Sequence, residues 1–309
     1  MAARAPVIAV PTPAAAAART APFGAERWSG LVPYLQVAPL ALAFLVFFVV
    51  PMVLVVVVSF FDYQSYDILI PDFTFQNYID VFSEQTTWVT YLNTLKFCVA
   101  VWLITFVLGF SIAYFLAFYV TNLTWQMTLF MLCTIPFWTS NVIRMISWIP
   151  ILGRNGLVNS ALMGAGITAE PQEWLLYSDF SVLVGFVHLY TIFMVVPIFN
   201  SMVRIDKSLI EAARDGGASE WQTIRHVILP LCKSGITIGS IFVITIVMGD
   251  FVTVNVLGGG QIASVGKSIW TELSYLQFPP AAASAMVLLA VVILMIVALT
   301  RIVDIRKEL

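Results

Sequence analysis

Six apolar runs decide what this chain can become. They fall at about Val37–Phe60, Leu95–Tyr119, Met127–Ser147, Ser181–Phe199, Ile236–Val256 and Ala281–Ile302. Each is near the ~20 residues that a helix needs to cross the hydrocarbon core of a bilayer. Inside that core a backbone must satisfy its own polar groups, and a continuously apolar run does so as a helix. Charged residues are only 10% of the chain, against about 25% in a soluble domain. The expected fold is therefore an all-α membrane protein with six transmembrane helices. The third run is the least regular, because Pro136, Asn141 and Arg144 interrupt it. The longest connections are only some 33–36 residues, too short for a soluble catalytic domain.

Basic residues set the expected orientation. Residues 1–27 are rich in alanine and proline, carry Arg4, Arg19 and Arg27, and lack the apolar core of a signal peptide. They read as a disordered cytoplasmic tail, ahead of a transmembrane domain over 28–309 and a short interfacial helix over Trp28–Gln36. Arg204, Lys207, Arg214, Arg225 and Lys233 lie in or beside the loop between the fourth and fifth runs, and Arg301, Arg306 and Lys307 close the chain. The loop after the first run instead carries Asp62, Asp67, Asp72, Asp80 and Glu84 with no basic residue. The positive-inside rule then places both termini and the 201–233 loop in the cytoplasm.

That loop is polar and locally well specified. Ser208 and Glu211 stand at capping-box spacing, as do Ser219 and Gln222. Gly216 and Gly217 lie between the two pairs and tolerate the left-handed backbone that stops a helix, and Pro230 ends or kinks the second helix. Two short helices around a glycine turn are expected.

Glu211-Ala212-Ala213, three residues, Gly217, nine residues, then Val227-x-Leu229-Pro230 resembles the EAA loop of permease subunits of binding-protein-dependent ABC importers. Asn93-Thr94-Leu95, Pro136-Phe137-Trp138-Thr139, Ile143-Arg144, Gly249-Asp250-Phe251-Val252 and Leu257-Gly258-Gly259 are similar to the spermidine/putrescine branch, in its first permease subunit. Val227 departs from the usual isoleucine and Gly216 from a frequent leucine. The resemblance implies a type I importer of the bacterial inner membrane. In it two related permeases form the pore, a dimer of ATPase subunits drives it, and a periplasmic binding protein delivers the substrate. ATP and magnesium then belong to the ATPase and no cofactor to this chain. The resemblance also assigns ATPase coupling to Glu211, Ala212, Ala213, Arg214, Asp215, Gly217 and Ala218. Glu211 serves either that contact or a local cap with Ser208. Arg214 and Asp215 touch the partner or each other's helix, and Glu220 and Arg225 do the same or are merely solvated.

Asp250 is a carboxylate in an apolar run, costly unless it faces a cavity or a partner. It offers a counter-charge to an ammonium group, or lies at the outer interface, or pairs with Arg144. Phe137, Trp138 and Trp148 present cation–π surfaces, or are ordinary interfacial aromatics. Glu272 falls in the last outer loop, facing the binding protein or water, and residues 153–166 read as a short outer helix. His188 reads as buried in the bundle, with no metal ligand at useful spacing, and Cys98, Cys133 and Cys232 as small core residues. There is no HExxH, GxSxG or P-loop in the sequence, which argues against an intramembrane enzyme and against ATP binding by this chain. Nor is there an internal repeat of the secondary-carrier kind or a basic cluster for nucleic acid. The resemblance implies a small cationic solute as cargo, a polyamine first, with opine-like compounds and amino-acid derivatives as alternatives.

Overall fold

The computed structural model describes residues 32–64 and 67–302. The proposed tail at 1–27, the last residues of the chain and Trp28 to Leu31 of the interfacial helix lie outside the described residues. The chain begins with α1 (Val32–Phe44), which passes through a π-helical turn (Leu45–Val49) into α2 (Val50–Val58). Valine and other apolar residues supply every position of α2 except Pro51, whose missing N–H falls inside this continuous helix just after the π turn.

From Val55 onward the chain forms a second compact unit. It starts with an element that the apolar runs did not announce: a two-stranded antiparallel hairpin, β1 (Phe61–Gln64) and β2 (Asp67–Phe73). Asn77 fixes its base, donating to the carbonyls of Ser59 (3.1 Å) and Phe61 (2.8 Å) from α3 (Gln76–Ser83). Phe60, Phe73, Phe75 and Tyr78 stack around it. The expectation of a purely helical chain is corrected to that extent.

The centre of the unit is three long helices: α4 (Gln85–Tyr114), extended by a π turn to Tyr119, α8 (Asp179–Met202) and α12 (Lys233–Gly249). Helix α8 packs against both others. Phe97, Cys98 and Val101 of α4, Phe186, Met194 and Ile198 of α8, and Val243 and Val247 of α12 are all buried there. Cys232 is buried too, as expected for a core cysteine. Between apolar helices in lipid, close packing replaces the hydrophobic drive, so small residues sit where backbones approach. A Cβ on Gly109 would come within 2.8 Å of Met194 Cγ, and one on Gly235 would press on the Pro197 carbonyl and lie 2.5 Å from Ser201 Oγ. The Pro197 carbonyl is backbone and cannot turn aside. Gly235→Val is therefore expected to destabilise the α8–α12 contact by about 1–3 kcal/mol. A fall in the thermal melting point of the detergent-purified chain would register it, and an unchanged melting point would refute the close contact.

Two expected spans are broken. The third runs from α5 (Leu123–Thr134) through a 3-10 turn (Ile135–Trp138), then bends by 91° into α6 (Asn141–Leu152) and α7 (Leu157–Gly164). Pro136 and the extended Thr139 end the first half, so the three interrupting residues mark a real break. The fifth ends at Gly249 rather than Val256. The chain turns at Asp250 and resumes as α13 (Val252–Leu257). Beyond it come α14 (Val265–Ser274) and α15 (Phe278–Ile302). Among the described residues, four helices are long and apolar enough to cross a membrane alone, and up to six spans result if two bent pairs, Leu123–Trp138 with Asn141–Gly164 and Glu220–Leu231 with Lys233–Gly249, each count as one.

Candidate functional site

The cytoplasm-assigned loop is built from local signals. Helix α9 (Lys207–Asp215) is capped by Asp206, whose Oδ1 accepts the backbone N–H of Ser208 at 3.0 Å. That bond holds the Asp206 carboxyl below its usual range. The expected Ser208–Glu211 capping box is thus corrected. An aspartate one residue ahead of the helix takes the role, leaving Ser208 and Glu211 inside it with Glu211 exposed. At the other end Gly217 adopts φ +82°, while Gly216 keeps an ordinary φ of −72°. The N–H of Ala218 donates to Ala213 O (3.0 Å) and that of Gly217 to Arg214 O (2.9 Å). This is the Schellman closure, which needs a left-handed residue at one position only.

Helix α10 (Glu220–Thr223) opens with the expected box. Ser219 Oγ accepts from Gln222 N, and Gln222 Oε1 accepts from Ser219 N. It continues through a π turn (Ile224–Ile228) into α11 (Leu229–Leu231), and the 72° bend comes at Cys232, two residues beyond Pro230. Arg214 reaches Glu220 at 3.7 Å, tying α9 to α10, so Glu220 is not merely solvated. Both side chains are exposed, and such a pair adds little stability. Ile210 is the buried side of α9, while Glu211, Ala212, Arg214 and Asp215 are exposed. A cavity of about 360 Å³ is lined by Tyr114, Phe118, Lys207, Ile210, Glu211 and Arg214, so Glu211 and Arg214 border it on the same helix face as Ile210.

The second candidate region surrounds the break at Asp250. Its carboxylate accepts three donors: the hydroxyl of Tyr190 from α8, the hydroxyl of Thr253 (2.6 Å) and the backbone N–H of Thr253 (3.0 Å). Asp250 therefore caps α13 from two residues before its first residue, Val252. Arg144 is not its ion-pair partner among the described residues. The guanidinium is buried, donates to Asn141 Oδ1 and to Thr139 O (3.4 Å), and leaves Nε unpartnered. Phe137 stacks edge-on with Phe193 at 5.6 Å between ring centres, and Trp138 is 84% exposed. Trp148 donates its indole N–H to His188 Nδ1 at 2.9 Å. His188 is exposed on α8 rather than buried, because the apolar character of α8 does not reveal which face meets the core.

Two participants escaped the sequence. Thr253 had a signal, since Asp250-x-x-Thr253 is helix-capping spacing. Tyr190 had none, lying 60 residues away. Glu272, expected to face solvent or a binding protein, is turned inward. Its Oε2 is buried without a partner among the described residues, and burial pushes its pKa up to about 7.

The family described as binding-protein-dependent transport system inner membrane component matches residues 31–308. The chain belongs to this family. The permease is 32% identical over 231 residues to the spermidine/putrescine transport system permease protein PotB of Haemophilus influenzae, covering 74% of this chain and 79% of the relative. It is 31% identical over 254 residues to PotB of Escherichia coli strain K12, covering 82% and 91%. A bacterial alginate ABC transporter crystallised with an alginate-bound periplasmic protein shares the fold, with a TM-score of 0.69 at 16% identity over 92% of this chain and 97% of the other. The permease is thus a multi-pass protein of the bacterial inner membrane and a transport subunit of an ABC importer of the PotB type rather than an enzyme.

Proposed function

We propose that this permease carries a polyamine, spermidine or putrescine, from periplasm to cytoplasm. The observation that carries the reading is the similarity to PotB over most of the chain. The Asp250 carboxylate at a helix break, held by donors from two elements, is consistent with a site that meets an ammonium group. Phe137, Trp138 and Arg144 lie on the same broken third span and complete the proposed path.

In this reading the chain crosses the membrane six times with both termini in the cytoplasm, pairs with a second homologous permease, and receives cargo from a periplasmic binding protein. The 208–230 loop rests on an ATPase dimer, which holds ATP and magnesium. Helix α9 suits that task. It is short, capped at both ends, and leaves Ser208, Ala212 and Asp215 exposed outside the cavity that Glu211 and Arg214 line. A stiff element transmits a displacement that a flexible loop would absorb.

The test is uptake of radiolabelled putrescine and spermidine by cells lacking their own polyamine importers. They express this chain with its ATPase, second permease and binding protein. ATP-dependent accumulation that disappears when this chain is omitted is expected. An assembled complex that moves neither amine would refute the substrate assignment.

A further inference from the structure

Four elements enclose a polar cavity of about 80 Å³ far along the chain from the coupling loop: the end of α3, the first turns of α4, α14 and the start of α15. Glu84, Tyr91 and Glu272 line it, with Ser268, Ser284 and the hydroxyls of Thr87 and Thr90. No basic side chain is among its walls. Glu272 Oε1 has only a long bond from Ser284 Oγ, at 3.4 Å, while Oε2 and the Tyr91 hydroxyl are buried without a hydrogen-bond partner among the described residues. Buried polar atoms of native proteins rarely go unmatched, because each costs its full desolvation. Here two of them line one chamber, with a second carboxylate beside them.

Thr87 and Tyr91 also line an adjoining chamber of about 80 Å³ with the opposite character. Phe82, Trp88, Val287 and Val291 make its walls. The rings of Phe82 and Trp88 are 6.3 Å apart, and the indole N–H is tied to Phe82 O at 2.9 Å, which leaves the ring faces for apolar contact. An alkali ion would use the first chamber and leave the second without purpose. A ligand with three N–H donors on a short hydrocarbon stem matches both.

We propose that these two chambers, which share Thr87 and Tyr91 as walls, together bind a primary alkylammonium group, the ammonium among Glu272, Glu84 and Tyr91 and the stem against Phe82, Trp88 and Val291. Soluble di- and polyamines carry this chemistry, and so does the ethanolamine headgroup of phospholipids. Assigning the site to the cargo rests on the polyamine reading; the site itself does not.

A linked titration follows. Burial pushes the Glu272 carboxyl up to about 7, a hydrogen bond from Ser284 opposes the rise, and the charge of Glu84 adds to it. The remaining ionisable groups nearby are Tyr91 of α4 and Lys267 of α14, whose ammonium turns away to Ile262 O at 3.2 Å. A cation binds the ionised form. Below that pH it must displace a proton, and its affinity falls by up to about tenfold per pH unit. Above it the affinity levels off.

The experiment is calorimetric titration of butylamine into the full chain in phosphatidylcholine nanodiscs, at pH 6 and pH 8. Tighter binding at pH 8 is expected. Glu272→Gln is expected to weaken it by about 10- to 100-fold and to flatten the pH dependence, the loss of a hydrogen-bonded charge. Tyr91→Phe, a gentler change, is expected to cost about 2- to 10-fold. Absence of binding by the wild type, or equal affinity and pH dependence in E272Q, overturns the site. Repeating the titration with phosphatidylethanolamine in the disc separates the two sources. Loss of butylamine binding there identifies the lipid headgroup as occupant, and retained binding identifies a soluble amine. Because no ATPase or uptake enters the measurement, failure here leaves the transport reading standing. Failure of polyamine uptake likewise leaves the site standing.

Discussion

Gly217→Pro is expected to reduce ATP-driven uptake to background while the membrane bundle remains folded. Gly217 sits at φ +82°, and its N–H donates to Arg214 O. Proline fixes φ near −65° and has no N–H, so it fits neither requirement, at a cost of about 3 kcal/mol or more. Helix α9 has only nine residues, a length at which a helix in water is marginal without its ends. The C-terminal closure and the Asp206 cap are much of what holds it. Losing one should fray the exposed face that the ATPase is proposed to grip. Gly217→Ala, which must also take a positive φ, is expected to cost about 1 kcal/mol and to act partially. Gly216→Leu is the control. Gly216 has an ordinary φ, and a Cβ there would sit 3.4 Å from the nearest carbonyls, close but with no backbone strain. It should couple normally. Measured together, ATPase co-purification and substrate-stimulated ATP hydrolysis decide the matter: a normal complex with normal coupling in G217P removes the loop from the drive mechanism.

Interactions confined to a few consecutive residues were legible. The Ser219–Gln222 box and the left-handed Gly217 needed no tertiary information. Ser208 fails as a cap because Asp206 lies two residues before it, and an aspartate that accepts the Ser208 N–H starts the helix at Lys207, ahead of the serine. Apolar runs located the long helices, yet they could not show where a run folds back. Pro136, Asn141 and Arg144 do mark the break in the third, but the helix end at Gly249 falls inside an apolar run that resumes from Phe251 to Val256. Nor could they show which face of a helix meets its neighbours, since lipid and bundle interior are both apolar. That is why His188 looked buried and is exposed, and why Tyr190 could not be paired with Asp250. The inward turn of Glu272 was equally hidden. Its surroundings come from α3, α4 and α15, nearly 200 residues apart in sequence at the widest.

The same distinction governs what Asp250→Asn should do. All three partners of the carboxylate are donors in the present arrangement, and two of them are hydroxyls. An asparagine can keep its oxygen toward the Thr253 N–H and present its amide to Tyr190 and Thr253, whose hydroxyls rotate to accept. The cap on α13 survives and only the charge is lost. If Asp250 meets an ammonium group during transport, uptake should fall by about 10- to 100-fold, the usual worth of a charged hydrogen bond. Complex assembly should be unchanged. Asp250→Leu removes the cap as well, so it should lower both transport and thermal stability. The two variants therefore separate charge from fold. Reconstituted vesicles containing D250N provide the measurement: saturation kinetics equal to wild type would make Asp250 a structural cap and take it out of the path.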